Sequence, residues 1–353
     1  MRRKNMIDNE QYTFKDYSNK VLAGTASGIV IGLIANAILG GIFKALIPYA
    51  SIFVTLAMVV STMQFLTPAL IGVLVGMQFK LNPMQSVIIG AATFLGSGAY
   101  AVTEAGITLV GIGDLVNVML IAGLAVFVTR FLEGKLGSLT LILLPIIVGA
   151  GVGTVGVLTL PYVSLVTTTI GNIINTFTLL QPLLMAILIA VAFSILIISP
   201  ISTVAIGIAI GISGLGAGAA AIGVTACTAV LVVGSRRVNQ KGTTLAILLG
   251  AMKMMMPNLV RHPRIVVPII VNAILSGTGA YLFSIHGLPQ TAGFGIVGLV
   301  GPIQAINMGS ALWMVIMAYF VIPFGGAVLV DLLFNKVLKI YEHEIFEFLP
   351  ATN

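Results

Sequence analysis

Charged side chains are scarce in this chain. Asp, Glu, Lys and Arg make up 8% of its 353 residues, against roughly 25% in an ordinary soluble domain. Hydrophobic residues make up 58%, and the mean hydropathy is +1.14. A soluble fold cannot cover that much apolar surface with so few charges. Lipid is therefore the solvent for most of the chain, and a soluble enzyme or binding domain is excluded.

Cysteine is almost absent as well. The single Cys227 excludes an internal disulfide and a cysteine-rich metal site. It lies in a run of small and apolar residues, so we expect a buried and unreactive thiol.

Several motifs of energised or catalytic membrane proteins are also missing. The sequence contains no Gly-x-x-x-x-Gly-Lys-Ser/Thr loop for ATP phosphates and no His-Glu-x-x-His zinc motif. It contains no Arg-rich helix of the voltage-sensing kind. We therefore predict no catalytic residue, no metal site and no cofactor in this chain.

The net charge of +7 does not indicate a nucleic-acid partner. Basic residues lie singly or in small groups between apolar runs, which is the pattern of cytoplasmic loops in membrane proteins. This pattern predicts cytoplasmic termini and a cytoplasmic position for the following residues: Arg2, Arg3, Lys4, Lys80, Arg130, Lys135, Arg236, Arg237, Lys241, Arg261, Arg264, Lys336 and Lys339.

The apolar runs predict an all-α, polytopic membrane protein with about ten spans of roughly 20 residues each. We expect a cytoplasmic tail over 1–20, one transmembrane domain over 21–340 and a second tail over 341–353. The candidate spans are 21–47, 51–79, 83–103, 107–129, 138–158, 162–180, 182–211, 214–234, 265–286 and 309–334. Uncharged loops would connect them at 48–51, 159–161 and 287–290, and the shorter stretches 242–256 and 289–307 read as interfacial or re-entrant pieces.

A weak internal repeat suggests two duplicated halves. Residues 88–106 align without gaps to residues 269–287, and both copies end in a Gly-rich segment. Duplicated halves are common among transporters, and helices broken near the bilayer centre often bind the solute. Coincidence among Gly, Ala and Ile is the alternative.

Glu104 is the acidic residue that most strongly suggests a substrate site. It follows the glycine-rich segment beginning at Gly96, where the span 83–103 ends. Intramembrane acids usually mark transport pathways. Glu104 therefore either contacts solute hydroxyls or binds a cation or proton; the alternative is an exposed loop acid. Asp114, ten residues later, reads more simply as a helix cap.

Other polar residues extend the candidate site. His262 lies in the cluster Arg261-His262-Pro263-Arg264, and either binds a ligand or belongs to a cytoplasmic edge. Asn272, Gln304 and Asn307 can both donate and accept hydrogen bonds, as a polyol requires, or can join helices instead. Lys253 is expected to extend towards the membrane interface.

Two segments carry a resemblance to a known family. Gly96-Ser-Gly-Ala-Tyr-Ala-Val-Thr103-Glu104 and Asn-Leu-Val-Arg-His262-Pro-Arg264, within a chain of this length and span number, resemble the PfoR-type membrane proteins. These are grouped with the enzyme IIC components of the phosphoenolpyruvate-dependent sugar phosphotransferase system. The resemblance covers roughly residues 20–340.

The resemblance implies a sugar permease of a bacterial plasma membrane. In enzyme IIC proteins a Gly-Ile-Thr-Glu segment holds the sugar and a histidine often assists. Here Thr103-Glu104 matches the Thr-Glu part, Ala101-Val102 replaces Gly-Ile, and His262 is the counterpart of the histidine. The resemblance further implies a homodimer and separate IIA and IIB phosphoryl-carrier proteins.

Two other functions remain open at the level of sequence. One is a membrane regulator of the PfoR type, which signals through a cytoplasmic partner without net flux. The other is an ion-coupled carrier in which Glu104 is the proton or cation site.

Overall fold

The structure, a computed structural model, describes residues 12–104 and 106–348, apart from the side chains of Ala45 and Ser138. Residues 1–11 of the predicted N-terminal tail and residues 349–353 of the predicted C-terminal tail lie outside the described residues. Within the described part, the N-terminal tail becomes helical at Phe14, seven residues before the predicted first span.

Most of the described chain is helical. The helices are α1 (Phe14–Leu46), α2 (Ile52–Met63), α3 (Thr67–Gln78), α4 (Pro83–Leu95), α5 (Leu115–Leu132), α6 (Thr140–Leu144), α7 (Gly153–Phe177), α8 (Pro182–Leu196), α9 (Thr203–Ala209), α10 (Gly214–Ser235), α11 (Lys241–Leu248), α12 (Met256–Arg261), α13 (Val266–Leu282), α14 (Val300–Asn307), α15 (Leu312–Ile316) and α16 (Ile322–Asp331). Short 3-10 or π-helical turns extend or join several of them, at Gln64–Leu66, Gly137–Leu139, Pro145–Val152, Met252–Met255, Pro263–Ile265, Val297–Leu299, Met317–Val321, Leu332–Val337 and His343–Phe346.

Seven helical segments in the described part of the chain are long and apolar enough to cross a bilayer, and an eighth arises if the bent pair α11 and α12 is one span. The seven are Phe14–Lys44, Ile52–Gln78, Leu115–Leu132, Thr140–Phe177, Gly214–Ser235, Pro263–Leu282 and Leu312–Val337. The integral membrane character is confirmed, whereas the predicted number of ten spans is not.

The loop predicted at 159–161 is wrong. Residues Thr140–Phe177 form one continuous helical segment with Pro161 inside it. A proline removes only one backbone donor. The remaining peptide groups keep their helical hydrogen bonds, because lipid offers no other partner.

A β-hairpin replaces the predicted helical segments on either side of Glu104. Helix α4 ends at Leu95, and the strands β1 (Tyr100–Thr103) and β2 (Gly106–Leu109) pair antiparallel. Gly98 has a φ of +72°, which stops the helix and favours glycine. The aromatic and β-branched residues that follow it suit a strand.

The two aligned segments of the weak repeat differ in local structure. The first breaks after Leu95 and continues into the hairpin, whereas α13 runs without interruption to Leu282 in the second. Gly277 stays helical and packs closely on α8, where an added Cβ would lie 2.9 Å from the Ala186 carbonyl oxygen. Duplication of the chain is therefore not confirmed.

The buried apolar residues form two separate cores. The first core draws on residues 21–152 and the second on residues 174–346. Helix α10 is the centre of the second core, and all of its residues from Gly216 to Leu231 are buried. Cys227 belongs to this buried run, as the sequence predicts.

Basic residues that are distant in sequence meet at one end of the molecule. Arg261 Nε donates to Asn19 Oδ1 at 3.3 Å, and Lys20 Nζ donates to the Gln78 carbonyl at 3.0 Å. The Arg130 guanidinium lies 4.5 Å from the centre of the Tyr12 ring. The predicted grouping of positive charge is thus present in the fold.

The C-terminal segment 341–348 is fastened to the same end. Asn258 Nδ2 donates to the carbonyls of Ile345 and Glu347 at 2.9 and 2.8 Å. Asp331, the last residue of α16, is buried and accepts hydrogen bonds from Tyr341 and His343. The predicted C-terminal tail is therefore packed against the helices as far as it is described.

Candidate functional site

A cavity of about 460 Å³ lies between the two cores. The first core contributes one side of its wall through residues 29–37 of α1, Gln64-Phe65 and the segment 110–115. The second core contributes the other side through residues 197–208, Gly250–Lys253 and 293–297. A cavity of this size is in the range that small-molecule ligands occupy in proteins.

Helix breaks form much of the cavity wall. The span Ile52–Gln78 passes through a 3-10 turn at Gln64–Leu66, and the chain breaks at 197–202 between α8 and α9 and at 249–251 after α11. The last break bends the chain by 119°. Breaks of this kind leave peptide groups free to bind a solute inside a membrane protein.

Gly250 allows the break after α11 to approach α1 closely. Its φ is +130°, a conformation that other residues rarely adopt. A Cβ added there would lie 2.8 Å from Val297 Cγ1 and 3.3 Å from Ala37 Cβ. A side chain at this position would push the second core away from α1.

Two amides form a polar part of the wall on the side of the first core. Asn36 Nδ2 donates to Gln64 Oε1 at 3.1 Å, between α1 and the 3-10 turn after α2. This bond uses the amide oxygen of Gln64, and its amide hydrogens have no hydrogen bond to any described residue. The pair can donate to and accept from hydroxyl groups.

Two hydroxyls lie on the opposite side. Thr203 Oγ1 donates to the Gly293 carbonyl at 2.9 Å, and Ser202 Oγ accepts from Ala205 N at 3.2 Å. The first bond leaves lone pairs on Thr203, and the second leaves the hydroxyl hydrogen of Ser202 free. Both sides of the cavity thus present groups that suit a polar solute.

Lys253 is buried in the wall, with 7% of its surface exposed. Its Nζ donates to the carbonyls of Ser199 and Ile201 at 2.5 and 2.8 Å, at the break after α8. The prediction that Lys253 extends to the membrane interface is wrong. The bend before Met252 directs the lysine between the two cores, where carbonyls without helical partners accept its hydrogen bonds.

The comparisons with known proteins give one match. The family model described as "Phosphotransferase system, EIIC" matches residues 19–348, nearly the whole chain. The chain belongs to this enzyme IIC family. No curated protein and no solved structure matches it. The membership confirms the enzyme IIC resemblance and places the chain among the membrane transport components of a phosphotransferase system, which work with IIA and IIB phosphoryl carriers. The narrower PfoR-type assignment stays a prediction.

The segment that resembles the enzyme IIC sugar motif lies at the hairpin. Glu104 is exposed in the turn between β1 and β2, and the exposed Thr103 donates through Oγ1 to the Gly106 carbonyl at 2.9 Å. Neither residue lines the cavity, although the chain just after β2 does. Their assignment to the substrate stays a prediction.

The other predicted site residues are dispersed. His262 is exposed after α12, beside the basic end. Asn272 is buried in the second core, where Nδ2 donates to the carbonyls of Ala226 and Pro323 at 3.0 Å each. Gln304 is half-buried and Asn307 exposed on α14. None of these four side chains lines the cavity.

Asp114 has the role that the sequence predicts. Its carboxylate caps α5 by accepting from the backbone N–H groups of Val116 and Asn117, both at 2.9 Å. This cap fixes the chain between the hairpin and α5, which lines the cavity at 110–115.

Proposed function

We propose that this enzyme IIC protein translocates a sugar or similar polyhydroxylated solute, and that the solute binds in the cavity between the two cores. The observation that carries the proposal is the position of the cavity. It lies where two separately packed groups of helices meet, and its wall combines α1 and a 3-10 turn of the first group with helix breaks of the second.

Alternating access follows from this arrangement. Close packing within each core resists deformation, whereas the contact between the cores contains a cavity. A movement of one core relative to the other would expose the cavity to one face of the membrane and then to the other. With the basic end in the cytoplasm, the separate IIA and IIB carriers would deliver the phosphoryl group there.

The hairpin offers a second position for part of the site. Glu104 and Thr103 are exposed at its tip, and movement of the hairpin would be needed to bring them to a solute in the cavity. The amide of Gln64 needs no such movement, so we expect it to contact the solute in the state described.

Uptake by reconstituted vesicles tests this function. Labelled hexoses and hexitols would be supplied with and without phosphoenolpyruvate and the phosphoryl-carrier proteins. We expect accumulation that requires the donor. Gln64→Ala should lower uptake about ten-fold, the loss of one to two hydrogen bonds, while Gln181→Ala, an exposed glutamine before α8, should not change it.

Three outcomes would contradict the proposal in different ways. Loss of uptake in Glu104→Gln with no effect of Gln64→Ala would place the site at the hairpin. Uptake that follows a proton gradient and ignores the phosphoryl donor would indicate an ion-coupled carrier. Absence of flux, together with solute-dependent binding of a cytoplasmic protein, would indicate a regulator. The homodimer stays a prediction from the family resemblance.

A further inference from the structure

Lys253 brings a positive charge to the cavity that no described carboxylate compensates. Among the described residues that line the cavity, it alone carries a formal charge. The ion pairs of Arg237 and His343 with Asp331 lie at the basic end of the molecule and do not include Lys253. When its ammonium is protonated, Lys253 therefore gives the wall a net positive charge within the described part of the chain.

The neighbours of Lys253 satisfy its hydrogen bonds only in part. A lysine ammonium has three donors, and two of them bond to the carbonyls of Ser199 and Ile201. These carbonyls follow α8, and the C-terminal end of a helix carries partial negative charge. They orient the ammonium but provide no full counter-charge, and its third donor is left for the cavity.

A buried charge without an opposite charge is unfavourable, because the interior screens and solvates it poorly. A neutral sugar would contribute hydroxyl dipoles to such a site. An acidic solute would contribute a hydrogen-bond acceptor and the missing negative charge together, and charge-assisted hydrogen bonds are stronger than neutral ones.

We propose that the solute of this cavity is a small polyhydroxylated acid, with its anionic group at Lys253 and its hydroxyls at the Asn36–Gln64 amides and the hydroxyls of Ser202 and Thr203. This inference rests on the proposed function and narrows it from polar solutes in general to acidic ones. A carboxylate and a phosphate share the chemistry that the ammonium recognises.

Matched pairs of solutes test the inference. Binding to the purified protein in lipid nanodiscs would be measured for glucose against glucuronate and gluconate, and for galactose against galacturonate. Glucose 6-phosphate would distinguish a phosphate from a carboxylate. We expect at least one acid to bind about 10- to 100-fold more tightly than its neutral counterpart, the range of a charge-assisted hydrogen bond.

A pair of substitutions isolates the charge. Lys253→Met keeps the length of the side chain and removes the ammonium, so it should abolish the preference for the acid. Lys253→Arg keeps the charge and should retain a preference of the same sign. A purely structural lysine would give a different result: Lys253→Met would lower thermal stability and leave the ratio of acid to neutral affinity unchanged.

The wild-type measurement keeps the inference falsifiable even if Lys253→Met does not fold. Neutral sugars that bind as tightly as their acids, or a protein that binds neither class, would overturn it. Donor-dependent uptake of the neutral sugars would leave the proposed permease function intact. Failure of donor-dependent uptake for both classes would remove that function as well.

Discussion

Asn117 joins three helical segments of the first core, and we predict that Asn117→Ala is strongly destabilising. The residue is fully buried on α5. Its Nδ2 donates to the carbonyl of Gly96 at 2.6 Å and to that of Gly156 at 2.9 Å. Its Oδ1 accepts from Thr159 Oγ1 at 2.9 Å. The amide thus holds the end of α4 and the first turns of α7 against α5.

The magnitude follows from the bonds that are lost. Side-chain hydrogen bonds between membrane helices contribute about 0.6 kcal/mol each on average, so three bonds contribute about 2 kcal/mol. The space left by the amide adds about 1 kcal/mol, because close packing prevents full collapse. Gly96 and Gly156 pack backbone to backbone, since a Cβ on Gly156 would lie 2.6 Å from Gly96 Cα. We therefore expect a loss of about 3 kcal/mol.

Unfolding by SDS in mixed micelles, followed by the loss of helical circular dichroism, measures this change. Thr159→Val removes one of the three bonds and should cost only about 0.6 kcal/mol. Asn172→Ala, on an exposed part of α7, is the matched control and should have little effect. The reasoning would be refuted if Asn117→Ala cost no more than Thr159→Val.

Two further predictions concern the second core and its C-terminal segment. Gly223→Ala should destabilise the protein by about 1–3 kcal/mol in the same unfolding assay, because the added Cβ would lie 2.1 Å from the Ala190 carbonyl oxygen. Gly242→Ala is the control and should be neutral or stabilising, because its added Cβ would have no atom within 4 Å. Equal effects of the two substitutions would contradict the close packing at Gly223. Burial, followed by the charge of Asp331 and the hydrogen bond to it, raises the pKa of the Tyr341 phenol above its ordinary value. The raised value favours the folded state below about pH 10, and this contribution is lost as pH rises further. Tyr341→Phe should therefore flatten the fall in thermal stability as pH rises above about 10, and an unchanged slope in that range would count against the coupling.

Local chemistry was sufficient for several features of this protein. Asp114 caps α5 because a carboxylate before an apolar helix accepts from free backbone N–H groups, whatever surrounds it. Cys227 is buried because every nearby residue is small or apolar. These predictions depend only on residues that are close together in the chain, so the sequence is sufficient to make them.

Helix boundaries depended on more than local composition. Pro161 and its polar neighbours suggest a loop, yet the helix continues through them because backbone groups in lipid have no other partner. Residues near Glu104 look as apolar as a span, yet glycine conformation and strand pairing produce a hairpin. Apolar composition alone does not distinguish these outcomes.

The candidate site shows the same limit. A carboxylate is unfavourable in hydrocarbon, so the sequence predicts a functional role for Glu104. In the structure, however, the hairpin exposes this residue instead of burying it. Asn36, Gln64 and Lys253 lie far apart in the chain and meet only because α1 packs against the break after α11. For Lys253, the signal in the sequence was that an isolated lysine lies within an apolar stretch.

The sequence by itself determined that the chain lies in a membrane, where its basic residues cluster, and to which family it belongs. These properties follow from composition and from segments that are continuous in the chain. Only the tertiary structure decided that the helices pack into two cores, that a cavity lies between these cores, and that Lys253 lines it. The physical reason is that a cavity forms where two packed surfaces leave space between them. The residues of those surfaces come from distant parts of the chain.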